Sequence, residues 1–212
     1  MLIGWSSRYR EYSLNIMKCL AQLILFSRRV YRRLLITAQR PTFRMCDRNV
    51  WYDPYGLYSC DNIEIGNDVF IGPGAHLQSS VRTIKVANKV MFGPNVTILR
   101  RDHNTGVVGK FMYDVKVKLP DNDLPVVLED DVWVGSRAIL LKCVTLGRGP
   151  IAAAGFPVRT NVAPFTVVGG VPARRLKVRF SLSQALQHEE ALYPPEHRIQ
   201  LPVLEVSLRD GP

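Results

Sequence analysis

An apolar residue returns every sixth position through the middle of the chain. Ile65, Ile71 and Leu77 form one series and Val86, Phe92 and Ile98 a second. Between Leu77 and Val86 the phase slips by three residues, which predicts a short insertion there. After a gap the rhythm resumes as Leu128, Val134, Leu140 and Leu146, and a glycine often follows, as in Ile71-Gly72, Phe92-Gly93 and Val134-Gly135. A period of six fits neither a helix nor a half-buried strand. It fits a triangular coil of three six-residue flats, with the recurring apolar side chain on the axis and a small residue at the bend, where glycine costs least. Stacked coils share one core, so each depends on its neighbours. The pattern predicts a mainly β protein, a parallel β-helix.

Outside the hexads the chain reads differently. Residues 9–38 predict a helix, because Leu14, Met17, Ala21, Ile24 and Leu25, then Val30, Tyr31, Leu34 and Leu35, recur at three- and four-residue spacing. The apolar run from Ile16 to Phe26 is too short for a membrane span. Arg28, Arg29, Arg32 and Arg33 beside apolar neighbours have the pattern of a helix lying on an anionic membrane surface. A helix bracing the terminal coil of the solenoid is the alternative. Residues 42–62, with Trp51, Tyr52, Tyr55 and Tyr58, read as an irregular lead-in. Residues 100–125 break the rhythm and read as an extruded loop. Ser181 and Gln184 have the form of a capping box opening a helix through Leu192. Pro194 and Pro195 end that helix, and the tail after them is expected to be poorly ordered. The organisation is therefore a basic helical arm over 1–48, a β-helix over 49–178, and a C-terminal helix and tail over 179–212.

Composition narrows the function. The net charge is +10 over 212 residues, and residues 1–50 hold ten Lys/Arg against two acids. The basic character thus belongs mostly to the arm. No helix-turn-helix, zinc or aromatic-basic motif accompanies it, so nucleic acid is not an expected partner. Cys19, Cys46, Cys60 and Cys143 form no Cys-x-x-Cys pair, which suggests neither zinc nor a disulfide framework. Reduced thiols and no evident signal peptide read as a cytoplasmic protein, peripheral to the inner membrane if the arm meets lipid.

Several segments resemble the hexapeptide-repeat acyltransferases, within them the sugar O-acetyltransferases that act on galactosides, maltose and capsular polysaccharides. They are Ile65-Gly66-Asn67-Asp68-Val69-Phe70-Ile71-Gly72, Asp131-Val132-Trp133-Val134-Gly135-Ser136, Val90 through Ile98 followed by His103, and Val162 through Arg174. The resemblance covers residues 60–180 and implies a left-handed helix, an exception to the right-handed rule for parallel crossovers. It implies a homotrimer with active sites between subunits, acetyl-CoA as co-substrate without a metal, and a saccharide acceptor in surface polysaccharide or lipopolysaccharide assembly.

The chemistry that follows needs a base, since a sugar hydroxyl barely ionises near neutral pH. Imidazole suits that task, and His103 matches the family's catalytic histidine, with Asp102 or a carbonyl oxygen to orient it. Backbone N–H groups at Gly135 and Ser136 are candidates for the oxyanion, although Gly135 also reads as a corner glycine. Trp133 faces either the thiol arm or a subunit contact. By the resemblance, Ala153, Ala154, Arg159, Thr160, Arg174 and Arg175 meet coenzyme A, arginine suiting phosphate through its planar fork. In place of the family's Gly-Ala-Gly-Ser run this chain has Ala153-Ala154-Gly155-Phe156, and Phe156-Pro157 is unusual in a coil. His76, Asn95, Asp102 and Tyr113 are candidates for the acceptor side. N-acetylation of an amino sugar would use the same base. A non-catalytic trimeric scaffold is the further alternative, whereas a carbonic anhydrase would need a third coil histidine beside His76 and His103.

Overall fold

A computed structural model of the chain describes residues 3–80, 82–99, 103–117, 119 and 124–209, with side chains from residue 12 onward. The chain divides into two units, Met1–Arg40 and Pro41–Pro212. In the first unit a single helix, α1, runs Ile3–Gln39, longer at its start than the apolar spacing predicts. Many of its apolar side chains are exposed, among them Leu14, Ile16, Met17, Leu20, Leu23 and Phe26. No helix among the described residues is long and apolar enough to cross a membrane.

The second unit is a parallel β-helix with three sheets. On the first face lie β1 (Met45–Cys46), β3 (Ile63–Ile65), β6 (Ile84–Val86), β9 (Val126–Leu128) and β12 (Thr145–Leu146). The second face carries β4 (Phe70–Ile71), β7 (Met91–Phe92), β10 (Trp133–Val134), β13 (Ile151–Ala152) and β15 (Thr166–Gly169), closed by the antiparallel β16 (Arg174–Val178). On the third face lie β2 (Leu57–Tyr58), β5 (His76–Gln78), β8 (Thr97–Leu99), β11 (Ile139–Leu141) and β14 (Pro157–Val158). The chain visits the faces in that order, once per coil. Every residue of the sixth-position series from Ile65 to Leu146 is buried. A second buried series at the same period (Val90 and Val96, then Val132, Ala138 and Val144) fills the remaining axial space.

The bends are made by residues with positive φ. Asp68, Lys89, Asp131, Gly149 and Phe165 mark the edge between first and second faces, and Gly74, Asn95, Arg137 and Gly155 that between second and third. Asn and Asp accept this conformation more readily than most residues. At the first of these edges they also form a ladder. Asn67 donates from backbone and side chain to Asn88 Oδ1 (2.9 and 3.1 Å), and Asn88 donates likewise to Asp130 Oδ1 (2.9 and 3.0 Å). Backbone groups left open by the bends are thereby satisfied.

Two local expectations need correction. Residues 42–62 are a coil rather than an irregular lead-in: Met45 pairs with Glu64, Trp51 bridges Phe70, and Leu57 pairs with His76. Its inward positions Cys46, Tyr52 and Tyr58 keep the period of six but are not branched aliphatics. The end of the prism has no coil beneath it, so Phe43, Tyr52 and Tyr58 fill the space as an aromatic cluster with centroids 5.3 to 5.8 Å apart. The tail is ordered too. After α2 (Leu182–Leu192), which opens on the expected capping box, α3 spans Leu201–Leu208 and buries Leu204 and Leu208 with Ala185 against Phe165 of the last coil. After the last coil, extended structure continues as β16 through Val178.

Phe156-Pro157 has a physical account. Phe156 is buried and its carbonyl accepts from Ile139 N (3.0 Å), which stacks it on small Ala138. Pro157 lies in the edge strand of its sheet, where a missing N–H breaks no ladder bond.

Candidate functional site

The predicted site residues are distributed over two edges of the prism and its second and third faces. Gly135 and Ser136 form the bend between β10 and β11, at the second–third edge, directly stacked between Gly93-Pro94 below and Ala153-Ala154 above. The fit there requires glycine. A Cβ on Gly93 would come within 2.6 Å of Ser136 N, and one on Gly135 within 2.6 Å of Ala154 N. Gly135 N–H is engaged, donating to Ala152 O at 2.7 Å. Gly135 N–H is thus taken up within the coil stack, which leaves Ser136 N–H as the remaining candidate of the two.

His103 enters from a different edge. It follows β8, where the chain leaves the third face and returns to the first at β9, and it is exposed. Asp102 lies outside the described residues. Tyr113 sits in a short 3-10 turn, Met112–Asp114, exposed, with the Lys116 ammonium 4.4 Å over its ring and donating to its carbonyl oxygen at 2.7 Å. Val108, Phe111, Met112 and Val117 of the same loop are also exposed. The loop thus presents apolar side chains outward from the prism.

Between these edges lies the third face. His76, exposed, pairs in register with Thr97 and Leu57, and Thr97 with Ile139. Asn95 is exposed at the second–third edge with φ 57°, its side-chain oxygen packed against Gly74. That gives Asn95 a conformational reason to be there beside any acceptor role.

Trp133 faces outward on the second face and is half exposed. It belongs to a column in register with Met91 and Ile151, and Met91 in turn pairs with Phe70. Phe70 stacks on Trp51 at 4.6 Å and 7°. The column makes a continuous apolar stripe along the prism, which favours the contact reading of Trp133 over the thiol-arm reading.

At the far end, β16 and the last coil enclose a cleft of about 240 Å³ lined by Thr160, Asn161, Thr166, Arg174 and Arg175, with Val206 and Ser207 of α3. Thr160 and both arginines are thus brought together. Arg159, although adjacent, is exposed and is not part of the lining, and Ala153 and Ala154 belong to the other edge. The α3 residues were invisible to sequence reasoning, since nothing in Leu201–Leu208 but its apolar spacing marks it. Among the described residues no cluster of His, Cys, Asp and Glu is arranged to hold a metal ion.

Charge on the first–second edge is structural. Arg148 donates to Glu189 Oε2 at 2.6 Å and to His197 O at 3.0 Å, with its guanidinium 3.7 Å over the Tyr193 ring. Arg179 pairs with Asp131 at 2.8 Å, and His188 packs edge-on against Phe165. His188 and His197 are parts of this brace. Burial raises the Glu129 carboxyl above its usual range, and burial followed by the Asp130 charge pushes Tyr193 up to about 12.

No family model matches the chain. A hexapeptide-repeat acetyltransferase of Vibrio cholerae, solved with acetyl-CoA, superposes over 68% of this chain and 75% of its own with TM-score 0.58 and 27% identity. The galactoside O-acetyltransferase of Escherichia coli is 24% identical over 136 residues, 64% of each chain. The relatives and structural neighbours are hexapeptide-repeat acetyltransferases. A tetrahydropyridine-dicarboxylate N-acetyltransferase of Staphylococcus aureus is 45% identical over 58 residues, 27% of this chain and 24% of that protein. The chain spans less than two thirds of the length of these curated relatives. In hexapeptide terms, the bends at Gly72, Gly93 and Gly135 are the repeat corners, and residues 103–117 belong to an insertion between two coils.

Proposed function

We propose that this protein transfers an acetyl group from acetyl-CoA to a hydroxyl of a saccharide acceptor, with His103 as general base. The observation that carries the reading is the likeness to the acetyl-CoA-bound V. cholerae protein over most of both chains. The cleft that gathers Thr160, Arg174 and Arg175 at the end of the prism adds a place for phosphate. His103 Nε2 or Nδ1 takes the proton as the acceptor oxygen attacks the thioester carbonyl carbon. The oxyanion forms beside Ser136 N–H, the C–S bond breaks, and the imidazolium returns the proton to the departing thiolate.

The working unit in this reading is a homotrimer. The base and the thioester amide stand on different edges of one prism, so a neighbouring copy facing the 133–136 edge would supply the base for that edge. The stripe of Trp51, Phe70, Met91 and Trp133 and the apolar loop 108–117 are surfaces such a neighbour would cover. His76, Asn95 and Tyr113 remain candidates for the acceptor side of the shared cleft.

The test is thiol release from acetyl-CoA across nucleotide sugars and oligosaccharides, with wild type beside His103→Ala. Acceptor-dependent release that falls by about 10²-fold or more in the variant is expected. Equal release by both proteins with every acceptor would remove the base assignment. The second reading, N-acetylation, is favoured by the 45% identity to an N-acetyltransferase in one segment. Mild hydroxylamine separates the two, because it cleaves an O-acetyl ester and leaves an amide intact.

A further inference from the structure

We infer that α1 is a peripheral membrane anchor that lies flat on an anionic lipid surface. At about 100° per residue, Tyr12, Ile16, Leu20, Leu23, Val30 and Leu34 fall within one ~80° arc, and all six are exposed. Phe26 widens that arc on one side and Ile24 and Met17 on the other, to about half the circumference. Lys18, Arg29 and Arg32 stand on the opposite side together with Leu14 and Leu25, while Arg33 borders the arc on one flank and Arg28 on the other. No Asp or Glu occurs between Tyr12 and Arg40.

Charge decides between occupants. A second copy of the helix would bring basic flank against basic flank with no acid to pair, whereas paired helices use opposite charges beside the seam. The apolar arc is also wider than a two-stranded seam needs, and Ser27 interrupts it at the position facing a partner. A bilayer surface containing anionic headgroups accepts both features. The apolar arc sinks to the headgroup–acyl boundary while the basic side chains reach up to phosphate. The helix cannot span the bilayer, because no window of it is apolar enough. At about 1.5 Å per residue its 37 residues would cover ~55 Å of surface.

The test uses the full chain with vesicles of phosphatidylcholine plus phosphatidylglycerol and with vesicles of phosphatidylcholine alone, read by co-sedimentation. Binding to the anionic vesicles only, weakened by salt, is expected. Arg29→Gln with Arg33→Gln should weaken it roughly 30-fold, and Leu20→Asp with Leu23→Asp should abolish it. The β-helix unfolding midpoint of each variant, measured alongside, should match wild type. No binding to anionic vesicles overturns the inference, and so does equal binding to both vesicle types. A Leu20→Asp, Leu23→Asp variant that loses a higher oligomer while wild type ignores lipid would assign the face to a second copy instead.

Discussion

Gly135 packs so close to Ala154 that a Cβ on it would lie within 2.6 Å of the Ala154 nitrogen, a backbone atom that cannot swing away. The corner glycine and the candidate oxyanion amide are therefore one piece of structure. Gly135→Ala should destabilise the β-helix by about 2 kcal/mol, the usual cost of overpacking a rigid site. Gly106→Ala, where the nearest atom is 3.8 Å away, is the matched control. Thermal unfolding of the two variants compares them; equal midpoints would mean that the corner can open.

The C-terminal helices are held to the prism by Arg148, whose side chain is 15% exposed, and Glu189, 2% exposed. Removing one partner leaves the other charge buried without its match, a loss of about 3 kcal/mol or more. Arg148→Met should show this in urea unfolding, and Arg148→Met with Glu189→Leu should recover part of it. If the double variant is as unstable as the sum of its parts, the ion pair is not what holds α2.

Tyr193 predicts an alkaline signature. Its hydroxyl titrates near 10.0 when unfolded and about 12 when folded, because burial and the Asp130 charge favour the protonated form. The folded state therefore binds the extra proton, and that contribution is present below pH 10 and lost as pH rises through 12. Wild-type stability should fall more steeply than that of Tyr193→Phe between those values. Parallel curves from paired denaturation series would contradict the assignment.

The apolar stripe on the second face gives a test of assembly. Met91→Glu with Trp133→Glu places two like charges in register on adjacent coils, at the centre of a surface that a neighbouring copy would bury. Sedimentation should show the proposed trimer dissociating to single chains, with acceptor-dependent thiol release lost as well. An unchanged sedimentation coefficient would place the contact elsewhere.

How much of this was legible beforehand depends on how local each signal is. The hexads from Ile65 to Leu146 were legible because every coil repeats the same axial demand, so one coil's pattern predicts the next. The same period runs through Cys46, Tyr52 and Tyr58 but is masked there, because the end of a prism calls for aromatic closure rather than aliphatic stacking. Ser181 and Gln184 announced α2 because a capping box is satisfied within four residues.

Which distant residues share an edge is settled only when the coils are stacked. Sequence order places His103, Gly135 and Thr160 along one line, but each coil turns the chain through three faces. Small changes in loop length therefore move a residue to another edge. The ladder between coils takes up Gly135 N–H at Ala152 O, Arg159 stays outside the cleft, and α3 enters it from a tail with no pattern of its own. The repeat, and with it the fold, was written in the period of six. The composition of the site followed from stacking that period in space, where neighbours on successive coils are 16 or more residues apart in the chain, as Ile151 and Val167 are.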